Sequence, residues 1–303
     1  MELRDIEYFS VVAKHRHLGR AAEALGMSQS ALSKSLRRLE QEMRAKLVKR
    51  TPKGVELTAE GSTLLSRADR LRVSIDDITR EVADVSLGLA GLLRIGAGTG
   101  YSHHLLPAAC TRMVREAPNV ALNITFPGGL LETTKALRHG EIDLLVTMMR
   151  TPQEPDLVQE HLYDDKIVVF ASVNHRLARR NKVTLADVAE ERWAMADSTY
   201  SLWHHLHKVF KEHGLAPPHI TIETGAQALR YPVIASSDLL GYAWRSLVRQ
   251  AMQHLSLVEL SVKELELSFG AAVTYRKKGY LSPAARRFID ILKATAKEMT
   301  QAR

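Results

Sequence analysis

The sequence predicts an α-helical N-terminal domain with a winged helix-turn-helix, then a long linker helix, then a C-terminal α/β domain of two lobes. Three observations predict this fold class. Residues 18–53 hold two amphipathic helical patterns joined by a Gly-Met-Ser turn and followed by a basic stretch. Residues 62–87 keep a helical pattern without proline or glycine. From Leu92 onward, strand patterns alternate with helical ones, which implies a parallel sheet with crossover helices.

The helix-turn-helix is predicted by apolar spacing on both sides of its turn. Ala21 and Ala22 are small enough for a second helix to cross close by. Gly26 suits the chain reversal, and Ser28 is a natural N-cap for a second helix that ends near Met43. The buried stripe of this second helix is expected to be Ala31, Leu32, Leu36, Leu39 and Met43.

The opposite face of the second helix carries hydrogen-bond donors and cations that suit base edges and phosphates in a major groove. Between Ser30 and Lys53 there are eight Lys or Arg residues against two Glu, which gives +6 in a chain whose net charge is +8. This concentration favours duplex DNA as the partner over an ordinary helix pair with a solvated basic face. The predicted DNA-binding residues are Arg20, Gln29, Ser30, Ser33, Lys34, Arg37, Arg38, Arg50, Thr51 and Lys53.

A short hairpin and a long helix follow. Leu47 and Val48 on one side of the turn at residues 50–54, and Val55 and Leu57 on the other, predict a wing with a basic tip. In the helix that Thr58 caps, apolar residues alternate at spacings of four and three, which is a heptad seam. The seam favours a coiled-coil dimer over a helix packed on its own C-terminal domain. The predicted dimer contacts are Leu64, Leu71, Ile75, Ile78 and Val82.

The C-terminal part is predicted to hold two α/β units with a ligand cleft between them. Strands are expected at 92–97, 120–126, 142–148, 166–171, 220–224, 239–243 and 257–262, with helices at 105–116, 131–138, 202–214 and about 282–299. Loops that follow parallel strands and lead into helices offer free N–H groups, which attract anions. Gly, Thr and Ser are also what such turns require, so the loops favour binding only as a set. The predicted effector contacts are Thr99, Gly100, Ser102, Gly129, Leu130, Thr147, Met148, Ser198, Thr199 and Gln227.

Other classes of site are disfavoured. The sequence Gly96-Ala-Gly98-Thr-Gly100 lacks the spacing and the later acid of a dinucleotide fingerprint. His204, His205, His207 and His213 are dense, but no Asp, Glu or Cys stands at a matching helical position, so we predict no metal and no cofactor. Cys110 is the single cysteine and is expected to be structural and buried. No nucleophile elbow is present, which disfavours a hydrolase.

The chain shows no sign of membrane insertion or export. No apolar run reaches spanning length, and the first fifteen residues are an amphipathic, charged helical pattern rather than a signal peptide. We therefore expect the protein to work in the cytoplasm.

Five motifs carry a family resemblance: Arg20-Ala-Ala-Glu-Ala-Leu25, Ser28-Gln-Ser-Ala-Leu-Ser33, Leu39-Glu40, Lys49-Arg50-Thr51 and Leu57-Thr58-Ala-Glu-Gly61. Together they resemble the N-terminal domain of LysR-type transcriptional regulators. The chain departs from that pattern at four positions. Ser30 stands where the family usually has Pro, Arg44 where it has Gly, Val48 where it has Phe, and His17 where it has a Ser or Asn cap.

The resemblance implies a DNA-binding regulator that is a homodimer or homotetramer, can contact RNA polymerase, and is switched by a small molecule. The donors that the loops offer at helix N-termini favour a carboxylate as that molecule. It implies domains at 1–58 (winged helix-turn-helix), 59–90 (linker helix) and 91–303, the last a periplasmic-binding-protein-like effector domain. The chain is then expected to cross between lobes near residues 162–165 and 266–269, so that lobe 1 is about 91–162 and 268–303 and lobe 2 about 163–267. The alternatives are a two-lobed solute-binding protein, which would not need the basic N-terminal domain, and an enzyme.

Overall fold

The computed structural model describes residues 2–52, 54–87, 90–126, 130–196 and 201–301. The chain divides into two units, Met1–Ala83 and Asp84–Arg303. The first unit is helical with one hairpin, and its elements are α1 (Leu3–His15), α2 (Leu18–Ala24), α3 (Gln29–Met43), β1 (Val48–Thr51), β2 (Gly54–Leu57) and most of α4 (Ala59–Leu87).

The helix-turn-helix forms as the sequence predicts. Ser28 caps α3 by accepting a hydrogen bond from the backbone N–H of Ala31 at 3.2 Å, and Leu32, Leu36 and Leu39 are buried against α1 and α2. The prediction that Ala31 is buried is wrong. All of residues 28–31 are exposed, because the first turn of α3 projects beyond the core and the buried stripe starts at Leu32.

The linker helix begins at its predicted cap. Thr58 accepts a hydrogen bond from the N–H of Gly61 at 2.9 Å and donates one to the carbonyl of Lys46 at 2.6 Å. The first turns of α4 join the core of the first unit through Ala68, which is buried, and Leu64, which is partly buried. Further along α4, the apolar side chains of the predicted seam become exposed.

The second unit alternates strands and helices. Its elements are β3 (Gly91–Ala97), α5 (Leu105–Glu116), β4 (Val120–Thr125), α6 (Leu130–Arg138), β5 (Leu144–Met148), β6 (Leu157–Ser172), α7 (Leu185–Ala189), β7 (Arg192–Met195), α8 (Ser201–Glu212), β8 (His219–Glu223), α9 (Gln227–Ala235), β9 (Leu240–Trp244), α10 (Arg245–Met252), β10 (Leu257–Leu260), β11 (Leu267–Arg276) and α11 (Pro283–Gln301). Three short 3-10 turns lie at Thr99–His103, Arg176–Arg179 and Lys263–Leu265.

Within the described residues, nine strands of the second unit form one mixed sheet in the order β4-β3-β5-β11-β6-β9-β7-β8, with β10 also paired to β6. β3 is parallel to β4 and β5, and β7 is parallel to β8 and β9. The parallel sheet that the sequence predicts is therefore present in each half. The whole sheet is mixed rather than parallel, because the long strands β6 and β11 run antiparallel to each other and to their neighbours.

The two long strands join two hydrophobic cores. Tyr163 on β6 and Ala271 on β11 belong to one core, together with α5 and α11. Ile167 on β6 and Phe269 on β11 belong to the other, together with β7, α8 and β9. The chain therefore passes between lobes at residues 163–167 and 269–271. The strand register shifts between Ala271 and Ala272, which marks a bulge beside this crossing.

None of the helices in the described residues has the length and apolar composition that a membrane span needs.

Candidate functional site

The outer face of α3 presents the side chains that the sequence predicts for DNA contact. Gln29, Ser30, Lys34 and Arg37 are exposed, and Ser33 is partly exposed. The inner face is apolar and buried, so these polar groups are held on the surface by the packing behind them. This arrangement suits insertion of the helix into a groove.

Arg38 differs from its neighbours because it is paired within the domain. Its Nε donates to Asp5 Oδ2 at 3.0 Å, and its terminal nitrogen also contacts the same carboxylate. Asp5 lies on α1 with 1% of its surface exposed, and it accepts a further hydrogen bond from Ser35 Oγ at 2.6 Å. The hydrogen bond from Arg38, helped by the one from Ser35, lowers the pKa of Asp5 despite its burial. Arg38 therefore joins α3 to α1.

The hairpin is fixed to the end of α1. Val55 donates its N–H to the carbonyl of Arg16 at 2.8 Å. Gly54 lies so close to that carbonyl, with φ +131°, that a Cβ there would come within 2.3 Å of the oxygen. Arg50 is exposed on β1 and Thr51 is partly buried where it pairs with Gly54, while Lys53 lies outside the described residues.

A buried carboxylate connects α3 to the hairpin. Glu40 is 8% exposed and accepts hydrogen bonds from Lys46 Nζ at 2.7 Å and from the N–H of Leu47 at 3.0 Å. Burial alone raises the pKa of Glu40, but the hydrogen bonds from Lys46, Leu47 and Val48 outweigh it and lower the pKa below its usual value. The lowered pKa favours the ionised carboxylate, whose hydrogen bonds to Lys46 and Leu47 hold the chain where it leaves α3.

Two of the departures from the family pattern have a structural outcome. His17 takes over the cap of α2, since its Nδ1 accepts hydrogen bonds from the N–H groups of Gly19 and Arg20. Arg44 adopts the left-handed conformation that a glycine would favour, with φ 50°, and ends α3 there. α3 therefore ends in the same left-handed conformation that a glycine would adopt, and Arg44 is strained because its side chain stands at positive φ.

The predicted effector loops lie at the carboxyl ends of their strands. Thr99, Gly100 and Ser102 belong to the 3-10 turn after β3, where Ser102 Oγ donates to the carbonyl of Thr99 at 2.6 Å. Thr147 and Met148 end β5 and are partly buried, and Met148 packs against the core of the second lobe. Leu130 begins α6. Gly129, Ser198 and Thr199 lie outside the described residues.

Trp244, which the sequence analysis did not select, closes part of the space between the lobes. It ends β9 in the second lobe, and a Cβ on Gly100 of the first lobe would lie 2.3 Å from its ring. Its ring centroid is 4.7 Å from that of Tyr101 and 5.0 Å from that of Phe269. The rule that selected the other loops, that ligands bind where parallel strands end, would also have selected Trp244, because it directly follows the predicted strand 239–243.

An acid lies close to the same region. Asp165 is 5% exposed at the crossing of β6, and its Oδ1 accepts a hydrogen bond from the N–H of Lys166 at 2.7 Å. Burial, with the nearby Tyr163 and Asp165, raises the pKa of Tyr101 well above its ordinary value. This buried carboxylate is a feature that the sequence analysis missed.

Comparison with known families follows the same division of the chain. Residues 3–62 match the model of the bacterial regulatory helix-turn-helix protein, lysR family. Residues 86–297 match the model of the LysR substrate binding domain, which alone covers more than half of the chain. The chain belongs to the LysR family. It is a DNA-binding transcriptional regulator with an effector-binding domain, not an enzyme or a solute-binding protein.

Individual relatives of this LysR-family regulator are distant but extend over most of its length. The HTH-type transcriptional regulator CbbR of Rhodospirillum rubrum is 24% identical over 97% of both chains. The HTH-type transcriptional regulator XapR of Escherichia coli (strain K12) is 28% identical over 71% of this chain and 73% of the relative. The crystal structure of CbnR, a LysR family transcriptional regulator, superimposes with a TM-score of 0.61 at 18% identity, covering 98% of this chain and 99% of CbnR.

The histidine-rich helix of the regulator is packed rather than arranged around an ion. His207 stacks on Trp203 with ring centroids 3.6 Å apart, and its Nδ1 lies 2.8 Å from the Trp203 carbonyl oxygen. His205 lies over Tyr242, and burial lowers its pKa. In the part of the chain that the structure describes, no three His, Cys, Asp or Glu side chains form a group suited to a metal ion. Cys110 is half-buried against the core of the first lobe.

Proposed function

We propose that the regulator reads duplex DNA with α3, placing Gln29, Ser33, Lys34 and Arg37 in the major groove. The observation that supports this is the exposed row of donors opposite the buried Leu32, Leu36 and Leu39. The phosphate contacts would come from the residues that flank this row: Arg20, Ser30, Arg50, Thr51 and Lys53. Arg38 has a positioning role, since its guanidinium already binds Asp5.

Gel-shift titration at several salt concentrations tests the DNA interface. Lys34→Ala/Arg37→Ala is expected to weaken operator binding and relax its sequence preference. Arg20→Ala/Arg50→Ala is expected to weaken binding to all sequences and to flatten the plot of log K against log salt by about 0.9 per lost phosphate contact. Arg179→Ala/Lys182→Ala is the matched control, because both residues are exposed cations of the second unit. A Lys34→Ala/Arg37→Ala variant that binds its operator like the control variant would remove α3 from the interface.

The regulator is proposed to act as a homodimer, or as a homotetramer of two dimers, joined through α4. A pair presents two copies of α3 to a DNA site with two-fold symmetry, in which the half-sites lie about one helical turn apart. The three-part division at 1–58, 59–90 and 91–303 belongs to this proposal. We also propose that the regulator contacts RNA polymerase and works in the cytoplasm, where it meets the chromosome.

The effector is proposed to be a small organic carboxylate held between the lobes. Support comes from the position of the 3-10 turn Thr99–His103, which directly follows β3 at the carboxyl end of that parallel strand, where α/β folds bind ligands. Thr99, Gly100 and Ser102 would bind the carboxylate from the first lobe, and Ser198 and Thr199 from the second. Gly129, Leu130, Thr147 and Met148 would line the remainder of the cleft, and Trp244 gives it an aromatic wall.

A thermal-shift screen of carboxylic acids tests the class of effector. Acids that raise the melting temperature of the wild type are expected to lose most of that effect on Thr99→Val/Ser102→Ala. Thr111→Val/Ser268→Ala makes the same chemical changes at exposed sites of α5 and β11 and should respond like the wild type. The carboxylate assignment fails if the stabilising compounds are cations or neutral sugars.

A further inference from the structure

A small cavity lies between α9 and α10 of the second lobe, with His103 of the first lobe at its edge. Its volume is about 210 Å³. Tyr231 and Pro232 from α9 and Leu247 and Ala251 from α10 make most of its wall apolar. Gln227, the first residue of α9, also lines the cavity. The sequence analysis predicted Gln227 as an effector contact.

The α9 wall carries a buried side-chain hydrogen-bond acceptor that lacks a donor among the described residues. Gln227 Oε1 is buried and has no hydrogen-bond partner among the described residues. Pro232 lies inside α9 and has no N–H to give to the carbonyl of Ala228, which lines the same cavity. A buried acceptor without a donor is unfavourable, and proteins usually satisfy such groups with protein, water or ligand. The wall therefore favours a molecule that brings N–H or O–H groups.

The cavity also lies where the two lobes meet. Gln250 on α10 donates its Nε2 hydrogen to the carbonyl of His103 at 3.3 Å. His103 ends the 3-10 turn of the first lobe, and the other residues around the cavity belong to the second. A molecule that fills this space would touch both lobes, and its binding would favour the interlobe angle at which His103 and α10 are together.

We propose that this cavity binds a small, mostly apolar, uncharged molecule with one or two N–H or O–H donors, as a second input to the ligand switch. Its volume is below the roughly 300–1,000 Å³ of common ligand pockets, so it suits one or two fused rings. Among the described residues that line it, none is a carboxylate, lysine or arginine, which disfavours a charged ligand. The site includes His103, the last residue of the 3-10 turn, but not Thr99, Gly100 or Ser102, which we assign to the carboxylate.

Isothermal titration of the full-length protein with indole and with benzofuran tests the donor requirement. The two probes have nearly the same shape, but benzofuran carries an oxygen where indole carries N–H. We expect indole to bind about 3- to 10-fold more tightly than benzofuran. Gln227→Leu should abolish that preference, whereas Gln253→Leu, the same change at an exposed glutamine outside the cavity, should keep it.

Filling the cavity tests the location. Ala251→Trp is expected to abolish binding of both probes, with folding checked by circular dichroism. If that variant does not fold, Ala228→Leu fills the space from its exposed side and should have the same effect. Thr99→Val/Ser102→Ala should leave indole binding unchanged, whatever it does to carboxylic acids. Equal affinity for the two probes, indole binding that survives both filling variants, or indole binding that is lost in Thr99→Val/Ser102→Ala would each overturn the proposal.

Discussion

Asp5 and Glu40 are the two carboxylates that the helical domain buries, and each joins α3 to another element. Asp5 holds α1 through Ser35 and Arg38, and Glu40 holds the start of the hairpin through the backbone of Leu47. Hydrogen bonds lower the pKa of both groups. The position of α3, the helix that we propose to contact DNA, therefore depends on two buried charges.

The pKa of Asp5 predicts how stability changes with pH. Because the folded-state pKa lies below the unfolded value of about 3.9, the stabilisation is complete above that value and is lost as pH falls through the lower, folded pKa. Asp5→Asn is expected to cost about 1–3 kcal/mol at pH 7. The cost should shrink as the pH falls below about 3.9, because Asp5 is then protonated in the unfolded chain while the folded protein still holds the charge.

Thermal unfolding at neutral and acid pH measures this difference. Glu7→Gln is the control, because Glu7 is an exposed acid on the same helix. A gap between wild type and Asp5→Asn that stays constant from neutral to acid pH would show that the charge of Asp5 does not contribute.

For individual residues, the sequence predicts which side chains are exposed better than it predicts which side chains pair with each other. Lys34 and Arg37 are exposed where the helical period places them. The same period places Arg38 next to them, but its partner Asp5 lies 33 residues earlier in the chain. A pairing between distant residues depends on how two helices cross, which the spacing along one helix does not contain. Trp244 and Gly100 meet across the lobes for the same reason.

Among the helices and strands, α4 stands out because it exposes a row of large apolar side chains that a protein partner could cover. The exposed fractions are 40% for Leu71, 40% for Ile75, 60% for Ile78 and 65% for Val82. They follow the heptad spacing that predicts a coiled-coil seam. A row of this kind in water favours association with a second copy of the helix, which buries it.

We expect Leu71→Arg or Ile78→Arg to convert the dimer to monomers or aggregates. Each variant places a charge in an apolar contact at a cost of several kcal/mol when no partner is present. Operator binding should fall with the loss of the dimer, although α3 is unchanged. Sedimentation velocity measures the change, and Ser66→Arg, on the opposite side of α4, is the matched control. A wild-type protein that sediments as a monomer at micromolar concentration would contradict the seam.

Strong periodicity decides which elements are predictable. The bounds of α3, α5 and β3 match their patterns within about one or two residues, as expected when a helix or strand has one buried face. β6 is harder to predict, because it is continuously apolar only at residues 167–171, in its second half. Its first half reads LVQEHLYDD and changes its buried face where the chain passes between lobes. β7 has four residues, too few to show a period.

At the scale of the whole molecule, the contact between Gly100 and Trp244 relates the two lobes. A methyl group at Gly100 would meet the indole ring, which Tyr101 and Phe269 also hold, so the ring has little room to move aside. We expect Gly100→Ala to destabilise the protein by about 1–3 kcal/mol and to shift tryptophan emission. In a Trp244→Leu background the same change should cost almost nothing, because the ring is absent.

A double-mutant cycle by chemical unfolding measures this coupling. Equal costs of Gly100→Ala with and without Trp244 would show that the loop, rather than the opposite lobe, rejects the added carbon. A cost confined to the Trp244 background would identify the contact as a stop that limits how far the lobes approach each other.

The two lobes are connected by a paired, two-stranded ribbon of β6 and β11 rather than by flexible single-chain hinges. β6 and β11 pair along ten residues of β11, and both continue from one core into the other, so neither lobe swings on a free tether. We expect any rotation of one lobe against the other to twist this hydrogen-bonded ribbon, which contains the bulge between Ala271 and Ala272. A twisted ribbon stores elastic energy and returns it. If the proposed effector rotates the lobes, the ribbon is therefore expected to supply a restoring force that reverses the rotation when the effector leaves.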